Sequence, residues 1–112
     1  MHKNQISRQE YVCRVLNAYR ITPETTGNVR GEDRRLAGQL YDQLIPLTIV
    51  ENALILATAR RLLRPDDAPP LAPIRSLHYF RAVIDEVMQS SMNDEYFLYL
   101  RRKIAQTTNT GK

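Results

Sequence analysis

Residues 45–65 read IPLTIVENALILATARRLLRP, and this stretch decides the fold. Pro46 suits the first turn of a helix, where its missing backbone N–H costs nothing. Pro65 disfavours a helical conformation at the residue before it, so the helix is expected to span about residues 46–63. Its large apolar side chains surround the helix axis: Leu47, Val50, Leu54, Ile55, Leu56, Leu62 and Leu63. A helix that is apolar nearly all round is usually buried, so this one is expected to form the centre of the protein.

The remaining chain predicts four more helices and no convincing strand. In each of them apolar residues recur at helical spacing. The expected spans of these helices are about 7–20, 33–44, 77–90 and 93–106. Ser7, Ser76 and Asn93 are expected to cap the first, fourth and fifth helices in chain order, because their side chains can accept a hydrogen bond from a free amide of the first turn.

The sequence therefore predicts an all-α protein, a compact bundle of about five helices around the central apolar helix. A length of 112 residues suits one domain. We expect that domain at residues 7–106, after a flexible N-terminus at residues 1–6 and before a disordered tail at residues 107–112.

The composition favours a reducing compartment and no membrane segment. No stretch approaches the ~18 consecutive apolar residues that suggest a membrane span. The opening residues MHKNQISRQE lack the apolar region of a signal peptide. Cys13 is the only cysteine, which excludes an internal disulfide and fits reducing conditions. We therefore expect a cytoplasmic location.

Residues able to carry catalysis or bind a metal are few and scattered. The histidines are His2, in the N-terminus, and His78, on the polar side of the fourth helix. One cysteine and two separated histidines do not supply the several ligands that a metal site needs. The four glycines are isolated and form no phosphate-binding loop. The sequence therefore predicts a protein that is not an enzyme, with no catalytic residues, no metal site and no cofactor.

Arginine dominates the positive charge of the chain. The net charge is +4, and 13 of the 16 basic residues are arginine, whose planar fork suits phosphate better than the ammonium of lysine does. A GC-rich genome, whose codons favour arginine, would explain the same bias. Many of the basic residues fall in three clusters along the chain. These clusters are Arg30, Arg34 and Arg35; Arg60, Arg61 and Arg64; and Arg101, Arg102 and Lys103. These side chains are the candidates for binding nucleic acid, DNA before RNA.

The cluster that precedes and opens the second helix is the hardest to explain without a ligand. Cations near a helix C-terminus are stabilising, which accounts for the other two clusters. Arg34 and Arg35 instead lie near a helix N-terminus, where positive charge is mildly unfavourable. Either local pairing with Glu32 and Asp33 or contact with phosphate groups would explain them.

Residues 44–46 join two helices as the turn of a helix-turn-helix does, and this likeness covers residues 36–58. Leu44 stands where that motif usually has glycine. The helix that follows is apolar around its circumference, unlike a recognition helix that lies in the major groove. Ordinary packing between helices is the simpler interpretation of this segment.

A further pattern lies in the expected fourth helix. Its spacing Tyr79-Phe80-x-x-x-Ile84-x-x-Val87 resembles the Tyr-Tyr-x-x-x-Ile-x-x-Trp motif of DnaD-like primosomal domains, with valine in place of the tryptophan. The resemblance covers about residues 40–90. It implies a helical accessory protein of bacterial, phage or plasmid replication, or of a mobile element, that contacts DNA and another protein. The same residues fill the apolar half of an amphipathic helix, so core packing also explains them.

The alternative function is a non-enzymatic adaptor or inhibitor. It would bind a partner protein through an aromatic or apolar helix face, or pair with a second copy as a homodimer. Aromatic and methionine side chains are enriched at such interfaces. The candidates for this surface are Tyr41, Met88, Tyr96 and Tyr99.

Overall fold

The described part of the chain consists of five α-helices and one short 3₁₀ turn. The computed structural model describes residues 6–90 and 93–110, with side chains described up to residue 107. The elements are α1 (Arg8–Ile21), α2 (Gly31–Asp42), α3 (Leu47–Leu62), the 3₁₀ turn (Leu77–Phe80), α4 (Arg81–Gln89) and α5 (Asp94–Thr110). In these residues β-type pairing is limited to one bridge between Thr25 and Ile74. The predicted all-α fold is confirmed.

Helix α3 lies at the centre of the bundle, as its sequence predicts. It packs against α1, α4 and α5, whereas α2 packs against α1 and the 3₁₀ turn. Buried side chains cover most of the circumference of α3: Val50, Ala53, Leu54, Leu56, Ala57, Thr58 and Ala59. The Thr58 hydroxyl donates to the Leu54 carbonyl at 2.7 Å, so its burial leaves this donor satisfied. Among the described helices, none has both the length and the apolar character needed to cross a membrane.

The three predicted caps are confirmed, whereas the fourth α-helix begins at Arg81 rather than at about residue 77. Ser7, Ser76 and Asn93 each accept a hydrogen bond from a backbone N–H two or three residues further along the chain, at 2.9–3.1 Å. These bonds satisfy amides that a first helical turn leaves without a backbone partner. Ser76 caps the 3₁₀ turn, which then leads directly into α4.

The fifth helix is longer than predicted. It continues to Thr110 rather than ending near Gln106, so part of the predicted disordered tail is helical. The Thr107 hydroxyl donates to the Lys103 carbonyl at 2.9 Å, and Ile104 packs against the core one turn earlier. These contacts carry the helix through a threonine-rich segment that has weak helix propensity.

The chain ends are described only in part. Ile6, assigned to the predicted flexible N-terminus, packs against the core. The rest of that predicted segment, residues 1–5, lies outside the described residues, as do residues 111–112 of the predicted tail.

Asp33 joins the start of α2 to the 3₁₀ turn. Its buried carboxylate accepts hydrogen bonds from the Arg30 backbone N–H at 2.9 Å, the Ser76 hydroxyl at 3.0 Å and the Leu77 backbone N–H at 2.9 Å. Hydrogen bonds to an ionised acceptor are stronger than neutral ones, and three of them offset the cost of burying the charge. This carboxylate therefore fixes where α2 begins relative to the segment that leads into α4.

Two loops lie side by side at the same end of the bundle. The Thr26 N–H donates to the Ile74 carbonyl at 2.9 Å, and the Ile74 N–H donates to the Glu24 carbonyl at 2.8 Å. The α1–α2 loop is thereby held against the end of the proline-rich connector, next to the start of α2.

Candidate nucleic-acid interface

Ion pairing divides the arginines into two groups. Five ion pairs are present among the described side chains: Arg8–Asp42, Arg14–Glu10, Arg60–Glu86, Arg61–Glu24 and Arg81–Asp85. We refer to two further sets by their helices, the α2 cluster (Arg30, Arg34 and Arg35) and the α5 cluster (Arg101, Arg102 and Lys103). In the described residues no carboxylate lies at ion-pair distance from either of these sets.

Arg60 is held in a contact within the protein. Its guanidinium makes two hydrogen bonds with the Glu86 carboxylate, at 2.9 and 2.5 Å, and so links α3 to α4. Hydrogen bonding by Arg60 lowers the pKa of the Glu86 carboxyl. A two-point pair of this kind occupies the edge of the guanidinium that would otherwise face a phosphate.

Arg61 is also engaged by protein groups. Its side chain is only 6% exposed. The guanidinium donates to the Glu24 carboxylate at 2.9 Å, the Ala72 carbonyl at 2.6 Å and the Tyr79 hydroxyl at 3.1 Å, and it lies 5.5 Å from the centre of the Tyr79 ring. Arg61 thereby joins α3 to both loops and the 3₁₀ turn. Arg64, at the end of α3, is half-buried and has no ion pair among the described residues.

Local pairing does not explain the α2 cluster, whose side chains are all exposed. Of the two expected partners, Asp33 turns inward to its three donors, and Glu32 forms no ion pair within the described residues. The Arg35 guanidinium folds back over the first turn of α2, 3.9 Å from the position that a Cβ on Gly31 would take. These arginines are thus concentrated at the helix N-terminus without an ion-pair partner among the described residues.

Arg75 joins the α2 cluster in space. The next residue, Ser76, is bonded to Asp33, which places the Arg75 backbone beside the first turn of α2. Arg75 is exposed and forms no ion pair in the described part of the chain. Sequence reasoning missed it because it stands alone in the chain, and the contact that positions it spans 43 residues. We refer to the combined set as the basic end: Arg30, Arg34, Arg35 and Arg75.

The α5 cluster is separate from the basic end. Helix α5 packs against α3, whereas α2 packs against α1 and the 3₁₀ turn. The expectation that the helix dipole explains the α5 cluster is wrong, because the helix continues to Thr110 and its last turn contains no basic residue. Arg101 and Arg102 are exposed and Lys103 is half-buried. The structure therefore does not gather the three predicted clusters on one surface.

The arrangement of the helices argues against a recognition helix at α3. That helix packs against α1, α4 and α5, and most of its side chains are buried or half-buried, so it lacks the exposed polar face that a recognition helix places in a major groove. Leu44 nevertheless has a φ of +63°, the left-handed conformation that glycine usually provides. The turn thus resembles that of a helix-turn-helix, but the packing around α3 does not.

The residues that resemble the DnaD-like motif are mostly core. Phe80 and Ile84 are fully buried and Val87 is buried, whereas Tyr79 is 47% exposed. The Phe80 ring packs edge-on against the Tyr19 ring, with centroids 6.1 Å apart. Core packing therefore accounts for three of the four motif residues.

The predicted partner-binding residues differ in exposure. Met88, Tyr96 and Tyr99 are exposed over nearly half of their surface. Tyr41 is half-buried, and its ring packs edge-on against that of Tyr11, with centroids 5.3 Å apart. The first three remain available for contact with another molecule.

No protein-family model, curated protein or solved structure matches this chain. In the part of the chain that the structure describes, no group of three or more His, Cys, Asp or Glu side chains could hold a metal ion. A functional proposal therefore rests on the arrangement of the side chains.

Proposed function

We propose that this chain is a small nucleic-acid-associated helical protein that contacts DNA phosphates through the basic end. The observation that carries the proposal is the division of the arginines by ion pairing. Five arginines elsewhere have carboxylate partners, while the four of the basic end have none among the described residues. The other described arginines without an ion pair, Arg20, Arg64, Arg101 and Arg102, lie on α1, after α3 and on α5. Unpaired guanidinium groups gathered at one end of a fold attract a polyanion, and binding releases its counterions.

Hydrogen bonds within the protein fix the backbone beneath the basic end. Asp33 bonds both the Arg30 N–H and the Ser76 hydroxyl, so the segments that carry Arg30 and Arg75 are held together. A surface that is already ordered loses less conformational freedom when it binds. This supports phosphate binding by arginine forks, each of which can donate two parallel hydrogen bonds.

The proposed contacts are with the phosphate backbone rather than with base edges. Contacts to phosphate position a protein on DNA but carry no sequence information directly. Since α3 is packed against three helices and mostly buried, the described fold has no exposed polar helix at the place where a helix-turn-helix would read the major groove. We therefore propose binding that depends weakly on sequence.

The biological setting that we propose is an accessory role in bacterial replication or in a mobile element, in the cytoplasm. Its support is the resemblance of residues 40–90 to DnaD-like primosomal domains. Tyr79 is the motif residue that stays substantially exposed, and its hydroxyl and ring both contact Arg61.

Fluorescence anisotropy with labelled duplex and single-stranded DNA tests the proposal. We expect log K to fall linearly with log salt concentration, with a slope of roughly −3 to −4 if all four arginines contact phosphates of duplex DNA. The R34E/R35E variant should bind at least about tenfold more weakly, with a slope that is smaller by about one for each lost contact.

The matched control is R14E/R81E, which makes the same change in net charge at arginines that are paired with Glu10 and Asp85. It should retain most of the affinity. The proposal fails if R34E/R35E keeps the helical circular dichroism spectrum of the original protein and binds DNA as tightly. It also fails if the control loses as much affinity, since net charge alone would then explain binding.

A second candidate function is an adaptor that binds a partner protein, which the exposed rings of Tyr96 and Tyr99 on α5 favour. Native mass spectrometry before and after nuclease treatment separates the two functions. Co-purified nucleic acid would support the first, and a stoichiometric protein partner would support the second.

A further inference from the structure

A groove of about 410 Å³ opens over α3 between the end of α1 and the second half of α5. Helices α1 and α5 both pack against α3, so they form its two walls. The apolar lining includes Leu54 and Ile55 from α3 and Ile104 from α5. A mostly apolar concavity of this volume falls within the size range of binding sites in proteins.

The groove carries one carboxylate and one guanidinium. Glu51 lies on the α3 side and Arg101 on the α5 side. Neither side chain has an ion-pair partner among the described residues. The groove thus presents one negative and one positive side chain, and each can form an ion pair with a molecule that binds there.

The same surface carries apolar side chains that project outward. Ile21, the last residue of α1, lines the groove and is 80% exposed. Leu98 lies three residues before Arg101, on the same side of α5, and is about half-exposed. A single exposed aliphatic side chain is common on protein surfaces. Ile21 stands at the rim of an apolar groove, so this surface has a protruding apolar side chain (the knob) beside an apolar depression (the hole).

We propose that this surface, Ile21 with the groove, Glu51 and Arg101, joins two copies of the chain across a twofold axis. In such a dimer Ile21 of each copy enters the groove of the other. Glu51 of each copy pairs with Arg101 of the other, which forms two equivalent ion pairs. An interface of this kind must be self-complementary, and this patch presents both a knob and a hole and both members of an ion pair.

The charge of the patch favours a second copy over DNA as its occupant. A carboxylate beside the groove repels phosphate, and the apolar lining gains nothing from it. The proposal gives Arg101 a role different from its predicted contact with nucleic acid. It does not depend on the function proposed above, because the basic end lies on α2 and before the 3₁₀ turn, away from the α3–α5 contact.

Sedimentation velocity over a series of protein concentrations tests the dimer. The expected result is a reversible shift from the 13.0 kDa monomer to a species of twice that mass. Each single variant, E51R or R101E, should raise the dissociation constant by at least about tenfold, because like charges then face each other twice. The double variant E51R/R101E restores opposite charges across the interface and should recover most of the association.

Two further variants make the test specific. I21S removes the knob at an exposed position and should weaken the dimer while leaving the thermal unfolding temperature unchanged. E32R makes the same charge change as E51R at an exposed site on α2 and should not affect association. The proposal is overturned if the original protein stays monomeric at every concentration, if the single variants associate normally, or if the double variant fails to recover.

Discussion

The Asp33 carboxylate accepts a hydrogen bond from the Ser76 hydroxyl at 3.0 Å, across 43 residues of chain. The same oxygen accepts the Leu77 N–H, and the second carboxylate oxygen accepts the Arg30 N–H. One buried acid thus caps α2, supports the residue that caps the 3₁₀ turn, and holds Arg75 beside the α2 cluster. The stability of the fold and the shape of the basic end therefore depend on the same carboxylate.

Replacing Asp33 by alanine should destabilise the protein by about 3 kcal/mol, because it leaves buried donors of three residues without an acceptor. D33N should also destabilise, since an amide offers one acceptor oxygen where the carboxylate uses two. The measurement is urea unfolding followed by circular dichroism. The control is D67A, at an exposed position in the proline-rich connector, which should change stability by less than about 0.5 kcal/mol. Equal unfolding midpoints for D33A and D67A would contradict this prediction.

Much of the fold follows from the sequence because its causes are local. The apolar circumference of residues 46–63 places α3 at the centre, and Ser7, Ser76 and Asn93 cap the segments that follow them. The helical spacing of Phe80, Ile84 and Val87 likewise predicts the buried positions of α4 and of the turn before it. In each case the deciding residues lie within one or two helical turns of one another.

The candidate nucleic-acid interface is harder to predict because it depends on contacts between residues that are far apart in the sequence. Asp33 looks like an ordinary acid of a first helical turn until Ser76 and Leu77 are placed against it. Arg61 looks like a cation at a helix C-terminus, but its partners come from residues 11 to 37 positions away. The predicted clusters group arginines that are close together in the sequence. Which guanidinium groups lack an ion pair depends instead on carboxylates that the fold brings to them.

Truncation of Arg61 should destabilise the fold. R61A removes hydrogen bonds to Glu24, Ala72 and Tyr79 and should cost on the order of 2 kcal/mol, since charged hydrogen bonds with little solvent access are worth more than exposed pairs. R61K keeps the charge but lacks the fork that reaches several partners, and it should lose about half as much. Thermal unfolding measures both. The control is R64A, because Arg64 lies three residues away and has no ion pair in the described chain. R64A should change the free energy of unfolding only slightly. A loss of stability equal to that of R61A would contradict the role assigned to Arg61.

Stability should fall at alkaline pH because of buried tyrosines. The Tyr11 hydroxyl donates to the Ile45 carbonyl at 2.7 Å, and burial raises the pKa of Tyr11 to about 12. An unfolded tyrosine ionises near pH ~10, so the unfolded state releases its proton first as the pH rises. The stabilising contribution is thus complete below pH ~10 and is lost between about 10 and 12, with a total of at most about 3 kcal/mol. Urea unfolding across this range measures the decline.

The Y11F and Y19F variants separate the contributions of the two tyrosines to this loss of stability at alkaline pH. Y11F should lower stability at neutral pH by about 1 kcal/mol, through loss of a buried hydrogen bond, and should flatten the alkaline decline. Burial also raises the pKa of Tyr19, with the Asp33 carboxylate adding to the effect. The buried Tyr19 hydroxyl approaches the Thr26 side chain but makes no hydrogen bond of good geometry in the described residues. Y19F should therefore flatten the decline with little loss at neutral pH, and an unchanged alkaline slope in both variants would refute the prediction.

Leu44 is the position where a substitution should stabilise the protein. Its φ of +63° is a left-handed conformation that costs a leucine roughly 1–2 kcal/mol, and its side chain is 76% exposed, so little packing offsets the strain. L44G should raise the free energy of unfolding by about 0.5–1 kcal/mol, after allowance for the greater freedom of glycine in the unfolded chain. L44A keeps the strain and should give no gain. The matched control is Q43G, at a φ of −83°, where glycine relieves nothing and should destabilise. Urea unfolding of the three variants decides the matter, and a loss of stability in L44G would show that the exposed leucine contributes more than its backbone conformation costs.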